Sequence, residues 1–321
     1  MYIIDEKTMD ANISIEEVID AMEQAFLIQY AGDFEQPDRL QYPHGDDVFL
    51  LMPCFSAAAF STKLVSVYPH NRQYGLPATM ATLLLNDMKS GEPLALFNGT
   101  YVTAIRTGAL GGLSAKLLAR DDAHSLAVVG AGTQGLFQAL AVCAVRPISD
   151  IYVYDAAEAA LAAYAARLNA KRPDIRVHIA GGPDQAAAAA DVIVACSTAK
   201  EPLFGDDAAL FAGKHIIAVG SYQPHTRELP KTALANAEGI WLDTTYAAAE
   251  SGDLAIPLAE GWMKAERYQP FCNIVKQGVA AEFRQRQTVF KTVGIGLFDL
   301  IAADRIYAKV KERGLGLNID I

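Results

Sequence analysis

Hydrophobic residues near the amino terminus follow a helical spacing. Polar positions separate apolar residues that recur at three- and four-residue steps: Ile15, Val18, Ile19, Met22 and Phe26. This spacing predicts an amphipathic helix. Ser14 with Glu17 forms the pattern of a capping box at the beginning of that helix, and Gly32 marks its end.

Strand-like runs replace the helical spacing between about residues 47 and 97. Short β-rich runs lie at 48–53, 60–69 and 78–87, and Pro, Asn, Asp and Gly separate them. The residues from 86 to 91 are typical of a hairpin turn. This region is therefore predicted to form a sheet of short, mostly antiparallel strands.

A second helix is predicted over residues 103–119, where apolar residues again recur at helical steps. Gly108, Gly111 and Gly112 lie inside it, although glycine is a poor helix former. We expect these small residues to allow the close approach of another backbone.

From Ser125 onward, short apolar strands alternate with helices. Strands are predicted at 125–130, 150–155, 175–180, 191–196, 214–220 and 239–243, and helices at 134–145, 156–170 and, as a fragment, 186–190. Alternation of this kind is typical of a parallel sheet with helices on both faces. A long helix is predicted over residues 288–311, past the last strand, and we expect it to return to the first domain.

Composition narrows the class of protein. The 321 residues are 52% hydrophobic and 20% charged, which is enough for two folded domains. A net charge of −10 argues against a nucleic acid or an anionic membrane as partner. The acidic beginning is unlike a signal peptide, and no apolar run is long enough to span a membrane.

Cysteine and histidine usage bears on the compartment and on metals. The four cysteines, Cys54, Cys143, Cys196 and Cys272, form no CxxC pair, which argues against a disulfide framework or a structural zinc site. Reduced thiols fit a cytoplasmic protein. The six histidines show no metal-ligand spacing, so we predict no metal.

A glycine-rich segment follows the first of the alternating apolar strands. Gly130, Gly132 and Gly135 stand in the order of a dinucleotide fingerprint, with a strand before them and a helix after them. Asp155 ends the next strand, 25 positions after Gly130, where an acid binds the adenosine ribose. Ala156 follows it, with no adjacent arginine for a 2′-phosphate, which favours NAD(H) over NADP(H). A helix cap is the alternative role for Asp155.

Several further motifs occur in a fixed order along the chain. They are Arg39 before Phe49-Leu-Leu-Met-Pro53, Lys63–Asn71, Leu85–Gly91, Thr103–Ala109, Val129–Gln134, Val219–Pro224, Arg227–Leu229 and Glu250–Asp253. Together they make the chain resemble the ornithine cyclodeaminase/μ-crystallin family over nearly its whole length. The resemblance implies an α/β fold: a Rossmann NAD-binding domain at 121–294, with an α+β substrate-binding and homodimerisation domain built from 1–120 and 295–321.

The resemblance assigns Arg39, Lys63 and Arg106 to a substrate carboxylate, with His70 lining the same site. The chemistry agrees, because a cation buried in an apolar segment needs an anionic partner. Alternatives remain open from the residues alone. The sequence is also compatible with a solvated Arg39 and with a structural role for His70. It is equally compatible with Lys63 paired to an internal acid and with Arg106 in a structural ion pair.

The resemblance extends to the reductases of this family, which act on cyclic imines. Reduction of an imine requires a proton at nitrogen, since hydride adds readily only to an iminium. Lys63, His225 and Glu250 are the candidate donors. The alternatives are a solvated loop position for His225 and a helix-end or ion-pair carboxylate for Glu250. The resemblance also implies cofactor-binding residues: Thr79, Arg106, Thr107, Gly130, Gly132, Thr133, Gln134, Asp155, Ser197, Gly220 and Thr292. We expect Thr292 to stand with Lys291 near the beginning of the long terminal helix.

Two departures from the family pattern bear on the reaction. Leu50 and Tyr222 occupy positions where the cyclodeaminases carry acids, so the ring-forming loss of ammonia from ornithine is disfavoured. The expected activity is NAD(P)H-dependent reduction of a small cyclic 2-imino acid, Δ1-pyrroline-2-carboxylate or Δ1-piperideine-2-carboxylate, to proline or pipecolate. The alternatives are an amino-acid dehydrogenase like alanine dehydrogenase, an ornithine cyclodeaminase, and a non-catalytic ligand-binding protein like a crystallin.

Overall fold

A computed structural model describes residues 1–320 of the chain, apart from the side chain of Arg72. In this structure the internal contacts divide the chain into two units. The first unit is Met1–Arg106 with Ile295–Ile321, and the second is Thr107–Gly294. The sequence-based boundary at 120 differs from this division, which falls inside a helix. Among the described helices, none is long and apolar enough to cross a membrane.

Sixteen strands and eleven α-helices are described. The strands are β1 (Tyr2–Ile4), β2 (Phe34–Glu35), β3 (Leu40–His44), β4 (Asp47–Ser56), β5 (Ala59–Val67), β6 (Thr79–Asp87), β7 (Pro93–Asn98), β8 (Ser125–Val129), β9 (Asp150–Tyr154), β10 (Arg176–Ile179), β11 (Val192–Ala195), β12 (His215–Ala218), β13 (Gly239–Leu242), β14 (Tyr268–Pro270), β15 (Thr288–Lys291) and β16 (Leu317–Asn318). The helices are α1 (Glu6–Asn12), α2 (Ile15–Ala31), α3 (Gly99–Leu118), α4 (Thr133–Val145), α5 (Glu158–Lys171), α6 (Pro183–Ala188), α7 (Lys231–Ala235), α8 (Ala247–Glu250), α9 (Gly252–Ala259), α10 (Phe271–Gln277) and α11 (Gly296–Arg313).

The first unit is built on a sheet in the order β16-β1-β7-β6-β5-β4-β2, with β3 also paired to β4. Strands β4 to β7 are antiparallel neighbours, as the sequence predicts for this region. Helices α2 and α11 pack against each other, and α11 also packs on β5. The predicted capping box at Ser14 and Glu17 is present, and Gly32 ends α2 with a positive φ of 74°.

The second unit contains a parallel sheet in the order β10-β9-β8-β11-β12-β15-β13-β14. Its central strands are buried along their whole length, because helices cover both faces of such a sheet. The chain leaves β8 toward β9 on one side and β11 lies on the other, so the strand order reverses at β8. The predicted α/β fold class is confirmed.

The predicted helix over 288–311 is wrong in its first part. Residues Thr288–Lys291 form β15, which lies between β12 and β13 and is fully buried. Helix α11 begins only at Gly296, after Gly294 has turned the chain with a φ of 75°. A four-residue segment with only two apolar residues, Val289 and Phe290, fits a buried strand and a helix equally well, so periodicity could not separate the two.

The glycines of α3 do allow a close backbone approach. A Cβ added to Gly108 would lie 2.5 Å from the carbonyl oxygen of Phe137 in α4. At Gly111 it would collide with the amide of the buried Gln138, whose Nε2 donates to the Thr107 carbonyl. The predicted close approach of another backbone is confirmed at Gly108, whereas the nearest neighbour at Gly111 is a side chain.

Candidate functional site

A cluster of three buried charges lies in the first unit. Lys63 of β5 places Nζ 2.6 Å from Oδ2 of Asp299, and Arg106 of α3 places Nε 2.9 Å from Oδ1 of the same carboxylate. All three side chains are almost fully buried. We call Lys63, Arg106 and Asp299 the cation cluster. Its formal charge is one positive unit, because two cations share one acid.

Burial and charge together set the protonation of this cluster. Loss of solvation lowers the pKa of Lys63 to about 8; the nearby Arg106 adds to this lowering, and Asp299 opposes it. Burial by itself would raise the pKa of Asp299, but Arg106 and Lys63 hold it below its ordinary value. The lysine is therefore a cation that can release its proton near neutral pH.

The structure brings together two of the four residues predicted to bind substrate, Lys63 and Arg106. The internal ion pairs considered as alternatives for both are present, with Asp299 as the acid. Arg39 is half-buried just before β3, and its charge also acts to lower the pKa of Lys63. His70 is exposed and lies 3.5 Å from Asp46. The roles of all four residues in binding substrate stay predictions.

The glycine segment of the second unit forms the turn that a dinucleotide requires. Gly130 has a φ of 115°, and a Cβ there would lie 2.6 Å from the carbonyl oxygen of Cys196. Nothing lies within 4 Å of a Cβ built on Gly132, so that side of the turn is open. At Gly135 a Cβ would meet the carbonyl oxygen of Gly130, so the helix packs tightly on the strand.

The first turn of α4 is available to an anion. Gly132 is its N-cap and supplies no side-chain hydrogen bond, so backbone N–H groups face outward at the positive end of a 13-residue helix. Thr133 is exposed there. Within the described residues, the buried Oε1 of Gln134 has no hydrogen-bond partner. These features fit the pyrophosphate and adjoining groups of a dinucleotide.

Asp155, the residue after β9, forms a hydrogen bond that stabilises this turn. Its Oδ2 accepts a hydrogen bond from the N–H of Ala131 at 2.8 Å, and Oδ1 accepts one from the N–H of Ala157 at 2.8 Å. Ala157 is the N-cap of α5 and has no side-chain cap, so the alternative of Asp155 as the N-cap is wrong. Its contact with a ribose stays a prediction.

A second buried network joins the carboxyl ends of three strands in this unit. Oε1 of Glu228 accepts from the N–H and the hydroxyl of Ser197, both at 2.7 Å. Oε2 accepts from the N–H of Gly220 at 2.7 Å and of Ser221 at 3.2 Å. Ser197 follows β11, and Gly220 follows β12. One carboxylate thus connects two predicted cofactor-binding residues.

Asp253 continues the network to β15. Its Oδ1 accepts the backbone N–H groups of Glu228 and Leu229 at 2.8 and 2.9 Å, and its Oδ2 lies 2.9 Å from Nζ of Lys291. Glu228 and Asp253 are completely buried, and Lys291 is nearly so. Lys291 neutralises the charge of one of these two acids, Asp253.

The remaining predicted residues lie in different parts of the chain. Thr292 follows β15 and donates to Oδ2 of Asp243 at 2.6 Å, so its predicted place at the beginning of a helix is wrong. In the second unit, His225 is exposed and Glu250 is the half-buried last residue of α8. Thr107 is buried in α3, and Thr79 is exposed where β6 begins in the first unit.

Sequence reasoning gave no role to Asp299, Glu228 or Asp253. Glu228 and Asp253 lie inside segments that carry the family resemblance. The sequence therefore contained a signal for both positions but none for the residues that they contact. Asp299 interrupts the apolar run Leu297-Phe-Asp-Leu-Ile301, and an acid on an apolar helix face is a signal of a buried partner. Within residues 1–320, no group of three or more His, Cys, Asp or Glu side chains is arranged to hold a metal ion.

The fold and the glycine turn define a two-unit α/β protein with a Rossmann-type sheet. The chain belongs to the ornithine cyclodeaminase/mu-crystallin family, whose model matches residues 3–314. The predicted family is confirmed.

Known proteins of this family resemble the chain over most of its length. A Delta(1)-pyrroline-2-carboxylate reductase of Bacillus cereus is 36% identical over 288 residues, 88% of this chain and 87% of that protein. The Thermococcus litoralis Delta(1)-pyrroline-2-carboxylate reductase, solved with NADH and L-proline, has a TM-score of 0.92 and 33% identity, covering 99% of this chain and all of that one. An archaeal alanine dehydrogenase dimer with bound NAD has a TM-score of 0.89 and 26% identity, covering 100% of this chain and 99% of that one.

Proposed function

We propose that this protein reduces a small cyclic 2-imino acid, Δ1-pyrroline-2-carboxylate or Δ1-piperideine-2-carboxylate, to proline or pipecolate. The observation that carries the proposal is the cation cluster, which combines a fixed arginine with a lysine that can release a proton. Relatives that are 36% and 33% identical bear the name of this reductase. The predicted class, an oxidoreductase acting on C=N bonds, agrees with these names.

Arg106 is the residue we assign to the substrate carboxylate. It donates to Asp299 through Nε, and its two terminal nitrogens make no hydrogen bond among the described residues. A guanidinium that is held at Nε can present these two groups to a carboxylate as a fork. The single excess positive charge of the cluster matches one carboxylate. Arg39 and His70 remain further candidates for the same role.

Lys63 is the residue we assign to protonation of the imine nitrogen. With a pKa near 8 it is mostly protonated at neutral pH and gives up its proton at modest cost. Asp299 then stays behind as an anion that keeps the neutral amine oriented. Glu250 and His225 remain predicted alternatives as donors. When bound, the reduced nicotinamide supplies the hydride that completes the reduction.

The second unit is the part we assign to NAD(H). Two structural relatives were solved with this type of cofactor: the Thermococcus litoralis reductase with NADH and the archaeal alanine dehydrogenase with NAD. We propose NADH over NADPH because Asp155 would repel a 2′-phosphate and Ala156 and Ala157 offer it no cation. We further propose that Thr79, Arg106, Thr107, Gly130, Gly132, Thr133, Gln134, Ser197, Gly220 and Thr292 contribute to cofactor binding.

A steady-state assay with preformed cyclic imines tests the proposal. We expect NADH oxidation with the five- or six-membered 2-imino acid, and a lower kcat/KM when NADPH replaces NADH. Asp155→Ala should weaken NADH binding and narrow the difference between the two cofactors. Absence of turnover with both imines would exclude the proposed reaction.

A second candidate is oxidative deamination of a small amino acid, because an alanine dehydrogenase is among the structural relatives. Both reactions use a carboxylate site and a hydride acceptor or donor. Ammonia with pyruvate distinguishes them, since only an amino-acid dehydrogenase oxidises NADH with that pair. Leu50 and Tyr222 at the positions of the cyclodeaminase acids disfavour an ornithine cyclodeaminase.

We propose that the protein is a cytoplasmic homodimer. One face of the first unit's sheet exposes large apolar side chains, which we call the outer sheet face: Leu40, Tyr42, Phe49 and Leu64. Their register places them side by side across β3, β4 and β5. An apolar patch of this kind is typical of an interface, and the alanine dehydrogenase relative is a dimer. Four free cysteines fit a reducing compartment.

A further inference from the structure

The carboxyl edge of the parallel sheet has two sides, separated by the glycine turn. Asp155 stands after β9, on the side that a dinucleotide's adenosine occupies in this type of sheet. A pyrophosphate bound at Gly130 to Gly132 would direct the nicotinamide half past β8 toward β11 and β12. Ser197 and Gly220 each lie two positions past the end of one of those strands.

A buried anion lies directly behind these two residues. Each oxygen of the Glu228 carboxylate is held by two donors, and all of these donors belong to Ser197, Gly220 or Ser221. A Cβ on Gly220 would collide with Glu228, so the carboxylate lies against the backbone of that loop. Four N–H and O–H donors favour the ionised form, which accepts all of them, over the protonated form, whose own proton would lack an acceptor.

The charge of the wider network is negative. Lys291 forms its ion pair with Asp253, and no ion pair joins Glu228 to a cation within the described part of the chain. Burial, together with Glu228 and Asp155, raises the pKa of the Cys196 thiol, so this thiol stays neutral and leaves the charge of the network unchanged. In a low-dielectric interior, the field of such an anion reaches the adjoining surface with little screening.

Reduced and oxidised nicotinamide differ in charge, because loss of hydride leaves the ring with one positive charge. We infer that Glu228 makes this edge of the sheet prefer the oxidised, cationic nicotinamide, as a positioning residue that acts through Ser197 and Gly220. The inference rests on the proposed function, which requires that NAD(H) binds here. The inference gives Glu228 a role in hydride transfer, since an anion that stabilises the cationic ring also promotes hydride donation.

Burial, with Asp253 adding to it, raises the pKa of Glu228 to about 7, while Lys291 acts in the opposite direction. A cationic ring nearby favours the ionised carboxylate. Binding of NAD⁺ should therefore strengthen as the pH rises through this range, whereas binding of NADH should not.

The test is the ratio of the dissociation constants of NAD⁺ and NADH, measured by fluorescence titration in the absence of imine. We expect Glu228→Gln to raise the Kd of NAD⁺ relative to that of NADH by about fivefold or more. Glu266→Gln, which removes an exposed carboxylate of the same unit, is the matched control and should leave the ratio unchanged. An unchanged ratio in Glu228→Gln would overturn the inference.

The wild-type protein provides a second measurement if Glu228→Gln does not fold. From about pH 6 to about pH 8 the Kd of NAD⁺ should fall relative to that of NADH; a constant ratio contradicts the inference. The two proposals fail differently. A wild-type protein that binds NADH and reduces imines, but shows an unchanged ratio in both measurements, retains the proposed function and loses only the role of Glu228.

Discussion

At the scale of the residue, the cation cluster is the feature on which we base the proposed substrate site of the first unit. Lys63 and Arg106 reach one acid from two different elements, and each would be a costly unpaired charge without it. Asp299 therefore allows two cations to remain buried in the first unit. The two predictions for this cluster each remove one charged side chain and measure the effect on turnover.

Replacement of Arg106 by alanine removes the proposed fork for the substrate carboxylate. Hydrogen bonds to charged groups contribute about 1.5–3 kcal/mol, so kcat/KM for the imine should fall by roughly tenfold to a hundredfold. Arg313→Ala, at the exposed end of α11, is the control and should retain wild-type kinetics. Normal kinetics in Arg106→Ala would refute the assignment.

The pH dependence of turnover reports on Lys63. In the proposed reaction the protonated lysine is the donor, so kcat/KM for imine reduction should decrease as the pH rises above about 8, while oxidation of the cyclic amino acid should increase there. In Asp299→Asn the carboxylate that favours the charged lysine is lost and Arg106 remains. The descending limb should then move to lower pH, and a limb that stays in place would exclude this role for Lys63.

At the scale of the element, close packing explains why α3 contains so many small residues. Gly108 lets α3 approach the backbone of α4, and even one methyl group there would meet Phe137 O at 2.5 Å. We expect Gly108→Ala to lower the free energy of unfolding by about 1–3 kcal/mol. Gly182→Ala is the control, because nothing lies within 4 Å of its added Cβ, and chemical denaturation compares the two variants.

A buried histidine connects α3 to the parallel sheet. His215 of β12 lies 3.0 Å from the Ser114 hydroxyl and 2.9 Å from the Thr288 hydroxyl, and burial lowers its pKa to about 3, with Arg146 adding to the effect. The unfolded chain binds this proton near pH 6.5 and the folded protein does not. Stability should therefore fall as the pH decreases from about 6.5 toward about 3.

Urea unfolding at two pH values measures this effect. We expect the free energy of unfolding to drop by about 1–2 kcal/mol more in the wild-type protein than in His215→Asn between about pH 7 and pH 5. His44→Asn, which alters an exposed histidine of β3, should behave like the wild type. Equal pH dependence in all three proteins would show that His215 titrates normally.

At the scale of the whole molecule, the outer sheet face is the surface we expect to join two copies. Phe49→Glu with Leu64→Glu would place charges in the centre of that face and should convert a dimer into a monomer of 34.5 kDa. Ile179→Glu changes an exposed apolar residue of β10 and is the control. Light scattering after size exclusion measures the masses, and a monomeric wild type would rule out the proposed dimer.

The sequence by itself determined the local features of this protein. Capping at Ser14, the turn at Gly130 and the alternation of apolar strands with helices depend on neighbouring residues, and each was predicted and found. The family resemblance followed from the same local motifs. Such features are readable because backbone conformation and side-chain periodicity are set within a few residues.

Only the tertiary structure decided which charges meet. Asp299 lies 236 positions from Lys63 and 193 from Arg106, and Glu228 joins loops that follow two different strands. The strand at Thr288–Lys291 also became a strand through its neighbours, β12 and β13, rather than through its own four residues. Long-range pairing selects among states that local sequence leaves equally favourable, which is why the sequence could not predict the partners in these contacts.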